Sequence, residues 1–257
     1  MDCKKALLES RGDFDAAIDH LRKKGQKVAA KRADREATEG VVIAKTNSND
    51  TRGVMINLSC ETDFVAKNEE FIAFAAQIAE TALTHELTEK ENLLSFKMNG
   101  LSIADAITEK VGKIGEKIEI KDFFTLQAGC VVSYIHANYK VGVLVGVNQA
   151  SSNAIKEGAK DVAMQIAAMN PVAIDGNDVP STIIDHEKQI GREKAISEGK
   201  PEQIVDRIAE GMVKKFLKEN TLLNQQFVKD SSKTIREYLK GVDTGLQVTG
   251  FKRSSLG

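Results

Sequence analysis

The feature that most constrains the fold of this chain is an internal repeat. Residues 40–58 recur as residues 129–147, so that both ends of the segment are displaced by 89 positions. Each copy has two runs of branched apolar residues around an Asn-containing turn, a pattern typical of a β-hairpin. A chance match between two apolar runs is the alternative. The shared glycines and turns at one spacing favour duplication instead.

The repeat extends beyond the hairpins. Ala-Gln-Ile-Ala at residues 76–79 is matched by Met-Gln-Ile-Ala at residues 164–167, at an offset of 88, and both segments have helical patterns. A strand-like segment closes each unit, at residues 117–124 and 246–251. We therefore expect an α+β fold with a duplicated core, in which each half is a three-stranded antiparallel sheet with a helix.

A helical hairpin is predicted inside the second half of the core. Residues 181–198 and 202–220 are charged helical segments on either side of a Gly-Lys-Pro break. Two helices joined by so short a turn run antiparallel. In the second helix an apolar stripe steps by four residues from Ile204 to Phe216. Beside this stripe lie Val205, Ala209 and Val213, and the residues expected to meet it from the first helix are Ile183, Ile190 and Ala195. A hairpin that projects from the body and one that lies flat on it both remain open. A further helix is expected at residues 229–240.

The N-terminal region reads as two short helices, residues 2–10 and 13–24, with Asp2 and Asp13 as N-caps and Gly12 and Gly25 as stops. Two helices of this size bury too little surface to be stable alone, so a third element is needed. A DNA-reading helix-turn-helix is disfavoured because the second helix is acidic where base-reading side chains are needed.

The predicted division of the chain is a helical module at 1–25, a linker at 26–39, core halves at 40–126 and at 127–180 with 221–257, and the hairpin at 181–220.

The connection at residues 60–68 is unusual. It follows a predicted strand and precedes a predicted helix whose N-cap is Asn68, so it should lie at the surface. Surface connections are usually polar, yet this one carries Phe64 and Val65 directly behind Asp63. Phe64 either folds back into the core or is exposed as an aromatic anchor flanked by charge, the composition of an interface hot spot.

Charge and composition exclude several classes of function. The chain has 36 basic and 37 acidic residues, so nothing indicates a general nucleic-acid or membrane binder. Trp is absent and aromatic residues make up 5%, which disfavours stacking of single-stranded bases. The first residues lack the apolar core of a signal peptide, and no apolar run is long enough to span a membrane, so a cytoplasmic protein is expected.

No catalytic or cofactor site can be assembled from the sequence. Cys3, Cys60 and Cys130 lack metal-ligand spacing and are predicted to be reduced structural thiols. Cys60 with His136 is the one nucleophile–base pair worth naming, and nothing in the sequence brings the two together. Residues 111–118 are glycine-rich but lack phosphate-loop spacing, so a tight helix-to-strand turn is the simpler interpretation. We expect a binding protein with no enzymatic centre, metal or cofactor.

Residues 62–68, Thr-Asp-Phe-Val-Ala-Lys-Asn, resemble the signature of bacterial elongation factor Ts. The resemblance extends over nearly the whole chain through residues 2–7, 142–145, 199–201, 212–216 and 248–251. It implies a core of two similar subdomains and a protruding coiled hairpin. It also implies an N-terminal three-helix module like ubiquitin-associated (UBA-like) domains, of which residues 1–25 would be an incomplete part. The implied activity is guanine-nucleotide exchange on the GTPase elongation factor Tu, without enzymatic chemistry.

The resemblance also implies which residues bind this partner. Positions matching Asp63 and Phe64 insert near the partner's magnesium and phosphate site, and Thr62 and Val65 flank them. The remaining implied partner contacts are Lys4, Val141, Gly142 and Gln165. Family members often have His where this chain has Gln165, so any hydrogen bond from that position is altered.

Direct contact with nucleic acid or membrane is not expected, whereas a homodimer or a heterotetramer with the partner is compatible with the resemblance. A different class of function is a scaffold or chaperone-like subunit that dimerises through the helical hairpin.

Overall fold

The computed structural model describes the backbone of residues 2–257 and the side chains of residues 4–257. The predicted cap at Asp2 and the predicted thiol of Cys3 therefore lie outside the described side chains. The helices are α1 (Asp2–Glu9), α2 (Phe14–Arg32), α3 (Asp63–Ala66), α4 (Glu69–Thr84), α5 (Lys90–Ser95), α6 (Ile103–Ile114), α7 (Asn153–Met169), α8 (Ser181–Ser197), α9 (Glu202–Asn220) and α10 (Ile235–Val242). The strands are β1 (Glu39–Thr46), β2 (Arg52–Cys60), β3 (Lys97–Met98), β4 (Leu101–Ser102), β5 (Ile118–Gln127), β6 (Cys130–His136), β7 (Val141–Val147), β8 (Gln226–Phe227), β9 (Asp230–Thr234) and β10 (Val248–Ser255).

Two antiparallel three-stranded sheets form the core, in the orders β1-β2-β5 and β10-β7-β6. In each sheet the second strand of the repeated hairpin is central. The register repeats as well, because Val41 pairs with Leu58 and, 89 residues later, Cys130 pairs with Val147. The α+β class and the duplication are therefore confirmed.

The two sheets pack against each other, with α4 on the outer face of the first and α7 on the outer face of the second. The contact between the sheets is formed by Val42, Met55, Val131 and Leu144. Val131 lies 89 positions after Val42, and Leu144 lies 89 positions after Met55. The two halves therefore present equivalent side chains to each other.

Helix α4 follows the predicted pattern closely. Its N-cap is Asn68, whose side-chain oxygen accepts hydrogen bonds from the amides of Glu70 and Phe71. The apolar positions expected to face the core are all buried, namely Phe71, Phe74, Ala75, Ile78, Ala79 and Ala82. Burying one such face supplies most of the stability of a helix of this length.

The N-terminal helices differ from the prediction. Gly25 does not end a helix, since α2 continues to Arg32. Instead Gly25 allows a close approach to α6: a Cβ at Gly25 would lie 2.9 Å from the carbonyl oxygen of Thr108, and one at Gly112 would lie 2.8 Å from the Cα of Gly25. Val28 and Ala29, which fall within the predicted linker, pack against the first core. The third element that these helices need is α6, and the division into domains stays a prediction.

The helical hairpin has the predicted ends, and part of the predicted contact between its two helices is present. Helices α8 and α9 are joined at Gly199, which has φ +71°. The buried residues of the contact between them are Gly191 and Ala195 on α8 and Val205 and Ala209 on α9. Ala195 therefore lies in the contact as expected, whereas Ile190 and Ile204 are each 40% exposed. A Cβ at Gly191 would lie 2.9 Å from the Cα of Ala209, so the two backbones approach too closely for larger side chains to lie between them.

The predicted helix at residues 229–240 is wrong in its first part. Residues 230–234 form β9, which pairs with β8, and α10 begins only at Ile235. Thr234 and Glu237 form a capping box, with Thr234 Oγ1 accepting from the Glu237 amide and Glu237 accepting from the Thr234 amide. This reciprocal cap ends the strand and starts the helix.

Candidate functional site

Residues 62–68 join β2 to α4 and contain one turn of helix, α3. Thr62 is the N-cap of α3, and its hydroxyl oxygen accepts a 3.4 Å hydrogen bond from the amide of Val65. Ala66 is buried, and Val65 is half-buried against the first core. This inner side of α3 anchors the turn to the body.

Phe64 lies on the outer side of α3. Its side chain is 83% exposed, which is the highest value among the large hydrophobic side chains of residues 4–257. The interpretation of Phe64 as a core plug is therefore wrong, because Val65 and Ala66 fill that role. An exposed aromatic ring is costly to keep in water and is a typical anchor for an interface.

Asp63 stands beside Phe64, and its side chain is 46% exposed. Lys67 Nζ donates a 2.6 Å hydrogen bond to Asp63 Oδ2 one helical turn away. This bond and the charge of Lys67 hold the pKa of Asp63 below its ordinary value. The carboxylate therefore stays ionised at neutral and mildly acidic pH, and α3 presents a negative charge next to an apolar ring.

Thr62 comes directly before this pair, and three hydrogen bonds to Glu116 and Cys60 fix its position. Glu116 accepts a 3.0 Å hydrogen bond from the Thr62 amide and a 2.7 Å hydrogen bond from its hydroxyl. The Sγ of Cys60 lies 3.2 Å from the Thr62 carbonyl oxygen and donates to it. Sequence reasoning missed Glu116, because the glycine-rich run that contains it indicates only a turn.

Glu61 extends these contacts to the N-terminal helices. One carboxylate oxygen accepts a 2.6 Å hydrogen bond from the amide of Lys117, and the other accepts a 2.8 Å bond from Arg32 at the end of α2. The start of α3 is thereby tied both to α2 and to the turn after α6.

The buried thiol of Cys60 is a structural group. Burial, with the nearby charge of Glu116, raises the pKa of Cys60 to about 12, so the reactive thiolate is scarcely populated at neutral pH. His136 lies in the other sheet and shares a 3.0 Å hydrogen bond with Tyr134. The residues that the structure describes include no group of three or more His, Cys, Asp or Glu arranged to hold a metal ion.

The other predicted contact residues lie on different elements. Lys4 is exposed on α1, and Val141 is half-buried at the start of β7. Gly142 is buried between the sheets, where a Cβ would lie 2.4 Å from Val42 Cγ1 and 2.8 Å from Met55 Sδ. The structure gives Gly142 a packing role, and a contact of this residue with a partner stays a prediction.

Gln165 is fully buried on α7. Its amide group donates to Gln225 Oε1 at 3.2 Å and to the Gln226 carbonyl at 3.1 Å, and its oxygen accepts from the Val228 amide at 2.8 Å. In this conformation the side chain does not reach the surface. It holds the β8–β9 segment, in which Val228 is exposed.

Replacing Gln165 with alanine is expected to destabilise the fold by at least about 1 kcal/mol, because the amide of Val228 loses its acceptor. Chemical denaturation measures the loss, and hydrogen exchange at the Val228 amide should accelerate. Gln189→Ala is the matched control, since Gln189 lies on α8 and its side chain bonds to Glu193 one turn away at the surface. Equal stability of the two variants would contradict the assigned role of Gln165.

No helix in residues 2–257 is long and apolar enough to cross a membrane.

Comparison with known proteins gives a consistent result over the whole chain. A family model described as "Elongation factor TS" matches residues 61–257. A protein named "Elongation factor Ts" from Christiangramia forsetii is 51% identical over 257 residues, which are 100% of this chain and 93% of that protein. Proteins of the same name from Flavobacterium psychrophilum and Porphyromonas gingivalis are 49% and 48% identical, each over 100% of this chain and over 93% and 92% of their own lengths.

Proposed function

The chain belongs to the elongation factor Ts family and is thus a translation elongation factor, and we propose that it promotes the release of GDP from the GTPase elongation factor Tu. GTP then rebinds to the emptied partner. In this proposal the protein acts in the cytoplasm and binds no nucleic acid itself.

The exposed Phe64 beside the ionised Asp63 is the observation that carries the proposal. A rigid aromatic ring can occupy a gap that opens only when the partner's phosphate site loosens. A carboxylate beside it can compete for the surroundings of the partner's magnesium ion. Both groups would be presented together on one short helix that is anchored to the body.

Exchange of this kind is a matter of differential binding. The protein must bind the nucleotide-free partner more tightly than the GDP-bound partner, and GDP must then weaken its affinity by the same factor. No covalent step is involved, so the scarcity of thiolate at Cys60 is compatible with the function.

We assign Gln165 an indirect part in this binding. Its side chain holds the segment that carries Val228, so the residue would shape a contact surface without touching the partner. Lys4 and Val141 remain proposed direct contacts from α1 and β7.

The test is release of fluorescently labelled GDP from purified elongation factor Tu, followed by stopped flow. A sub-stoichiometric amount of this protein should accelerate release of the whole labelled pool, because an exchange factor turns over. Release limited to one equivalent, or no acceleration, would contradict the proposal.

A second candidate function rests on the helical hairpin. Ile190, Ile196 and Ile204 are exposed on α8 and α9 although they are large and apolar. A scaffold or chaperone-like subunit that dimerises through the hairpin would cover such side chains.

Replacing residues 183–216 by a short Gly/Ser connection is expected to leave the core folded, because the deleted segments pack mainly on each other. Cooperative thermal unfolding checks this result, and sedimentation with the GDP release assay shows what is lost. Loss of self-association with exchange intact favours the scaffold, whereas weaker binding of the GTPase favours a part in exchange. If cooperative unfolding disappears, the hairpin is instead part of the core.

A further inference from the structure

Glu116 is placed by a sharp turn at the end of α6. Gly115 has φ +83°, a conformation that side-chain-bearing residues rarely adopt, and its amide donates to the carbonyl of Val111. The helix therefore stops, and the next residue turns back toward the end of β2. The carboxylate of Glu116 then spans the amide and the hydroxyl of Thr62.

The hydrogen bonds between residues 61–62 and residues 116–117 run in both directions. Glu116 accepts from the amide of Thr62, and Glu61 accepts from the amide of Lys117. Each of the two neighbouring segments thus donates a backbone amide to the other segment's carboxylate. We call this arrangement of Glu61, Thr62, Glu116 and Lys117 the clasp.

The clasp begins where the sheet ends. Cys60 and Ile118 form the terminal pair of the β2–β5 ladder, and both are buried. Backbone pairing already joins the strands up to that point. The clasp adds hydrogen bonds one and two residues further on, up to the N-cap of α3, where it orients the helix that carries Asp63 and Phe64.

The charge of Glu116 suits this task. An ionised carboxylate can accept from two donors at once, and such charge-assisted bonds are stronger than neutral ones. A glutamine at the same place can accept from the Thr62 amide through its oxygen, and its NH2 group can donate to the Thr62 hydroxyl, because a hydroxyl both donates and accepts. Glu116→Gln therefore keeps the size of the side chain and replaces two charge-assisted hydrogen bonds with two weaker neutral ones.

We propose that Glu116 is a positioning residue for nucleotide exchange, which holds α3 in the orientation that presents Asp63 and Phe64 to the partner. The inference rests on the exchange function proposed above. A segment held in its binding orientation does not have to be ordered when it meets the partner, so the clasp lowers the cost of forming the exchange complex.

The test compares Glu116→Gln with Glu119→Gln in the GDP release assay. Glu119 is the matched control, since it lies three residues further along the chain in β5, is half-exposed and pairs with Lys117. We expect Glu116→Gln to lower the maximal rate of GDP release about tenfold. The protein concentration that gives half of that rate should change less, and Glu119→Gln should behave as the unchanged protein.

Two further measurements separate positioning from general stability. The NMR signal of the Thr62 amide should shift in Glu116→Gln while the melting temperature changes little. In a double-mutant cycle, the variant with both Glu116→Gln and Phe64→Ala should release GDP almost as fast as Phe64→Ala alone. The reason is that a positioning residue acts through the ring that it presents.

The outcomes are distinct. If Phe64→Ala releases GDP slowly but Glu116→Gln releases it at the normal rate, the positioning role is wrong and the proposed function stands. Additive losses in the cycle also overturn positioning through Phe64. If Phe64→Ala exchanges at the normal rate, the role assigned to Phe64 is wrong, and the positioning role fails with it. If the unchanged protein does not accelerate GDP release, the proposed function itself fails.

Discussion

Replacing Phe64 with alanine is expected to slow GDP release from elongation factor Tu roughly thirtyfold, corresponding to about 2 kcal/mol of lost interaction. The melting temperature should stay nearly constant. The reason is the position of the ring, which is 83% exposed and makes no contribution to the core. A buried phenylalanine would instead cost about 3–5 kcal/mol of stability on truncation.

Stopped-flow release and thermal unfolding of the same samples check both halves of this prediction. Ile196→Ala is the control for truncating an exposed apolar side chain, since Ile196 is 64% exposed near the tip of the helical hairpin. An equal loss of rate in the control would show that the effect is not specific to α3. A Phe64→Ala variant with a much lower melting temperature would contradict the exposed position of the ring.

Replacing Gly142 with alanine is expected to lower the free energy of unfolding by about 3 kcal/mol, near the upper end for overpacking. The new Cβ would lie 2.4 Å from Val42 Cγ1, well inside normal contact distance. Valine is β-branched, so its side chain cannot rotate away freely. The strain would fall on the contact between the two sheets, where both halves of the repeat meet.

Gly211→Ala is the matched control for this prediction. Gly211 lies in the interior of α9, and no neighbouring element comes within 4 Å of the position that an alanine methyl group would take there. Alanine should therefore stabilise the helix by up to about 1 kcal/mol. Denaturant unfolding of both variants gives the comparison. If the two substitutions have the same effect, the sheets are not packed as closely as described.

Much of the fold could be predicted from the sequence, because the relevant information is local or repeated. The register of the second hairpin follows from the first by the offset of 89 positions. The buried face of α4 follows from helical spacing, and its start follows from Asn68. The signature at residues 62–68 is visible for the same reason, since its unusual order of acid, aromatic and aliphatic residues lies within one connection.

Other features depend on neighbours that are distant in the chain. From the sequence alone Gly25 is typical of a helix end, whereas in the structure it allows α6 to pack closely on α2. The contact between α8 and α9 depends on how closely their two backbones approach. The three hydrogen-bond partners of the buried Gln165 side chain are Gln225, Gln226 and Val228, about 60 residues away along the chain.

The sequence alone determined the duplicated α+β core, the ends of the helical hairpin and the segment that carries the candidate site. These follow from periodicity, capping residues and turn residues, which act over a few positions. Only the tertiary structure decided that Phe64 is exposed and that Glu116 holds Thr62. Exposure is a property of what packs beside a residue, and a carboxylate 54 positions away leaves no periodic signal at the residue that it binds.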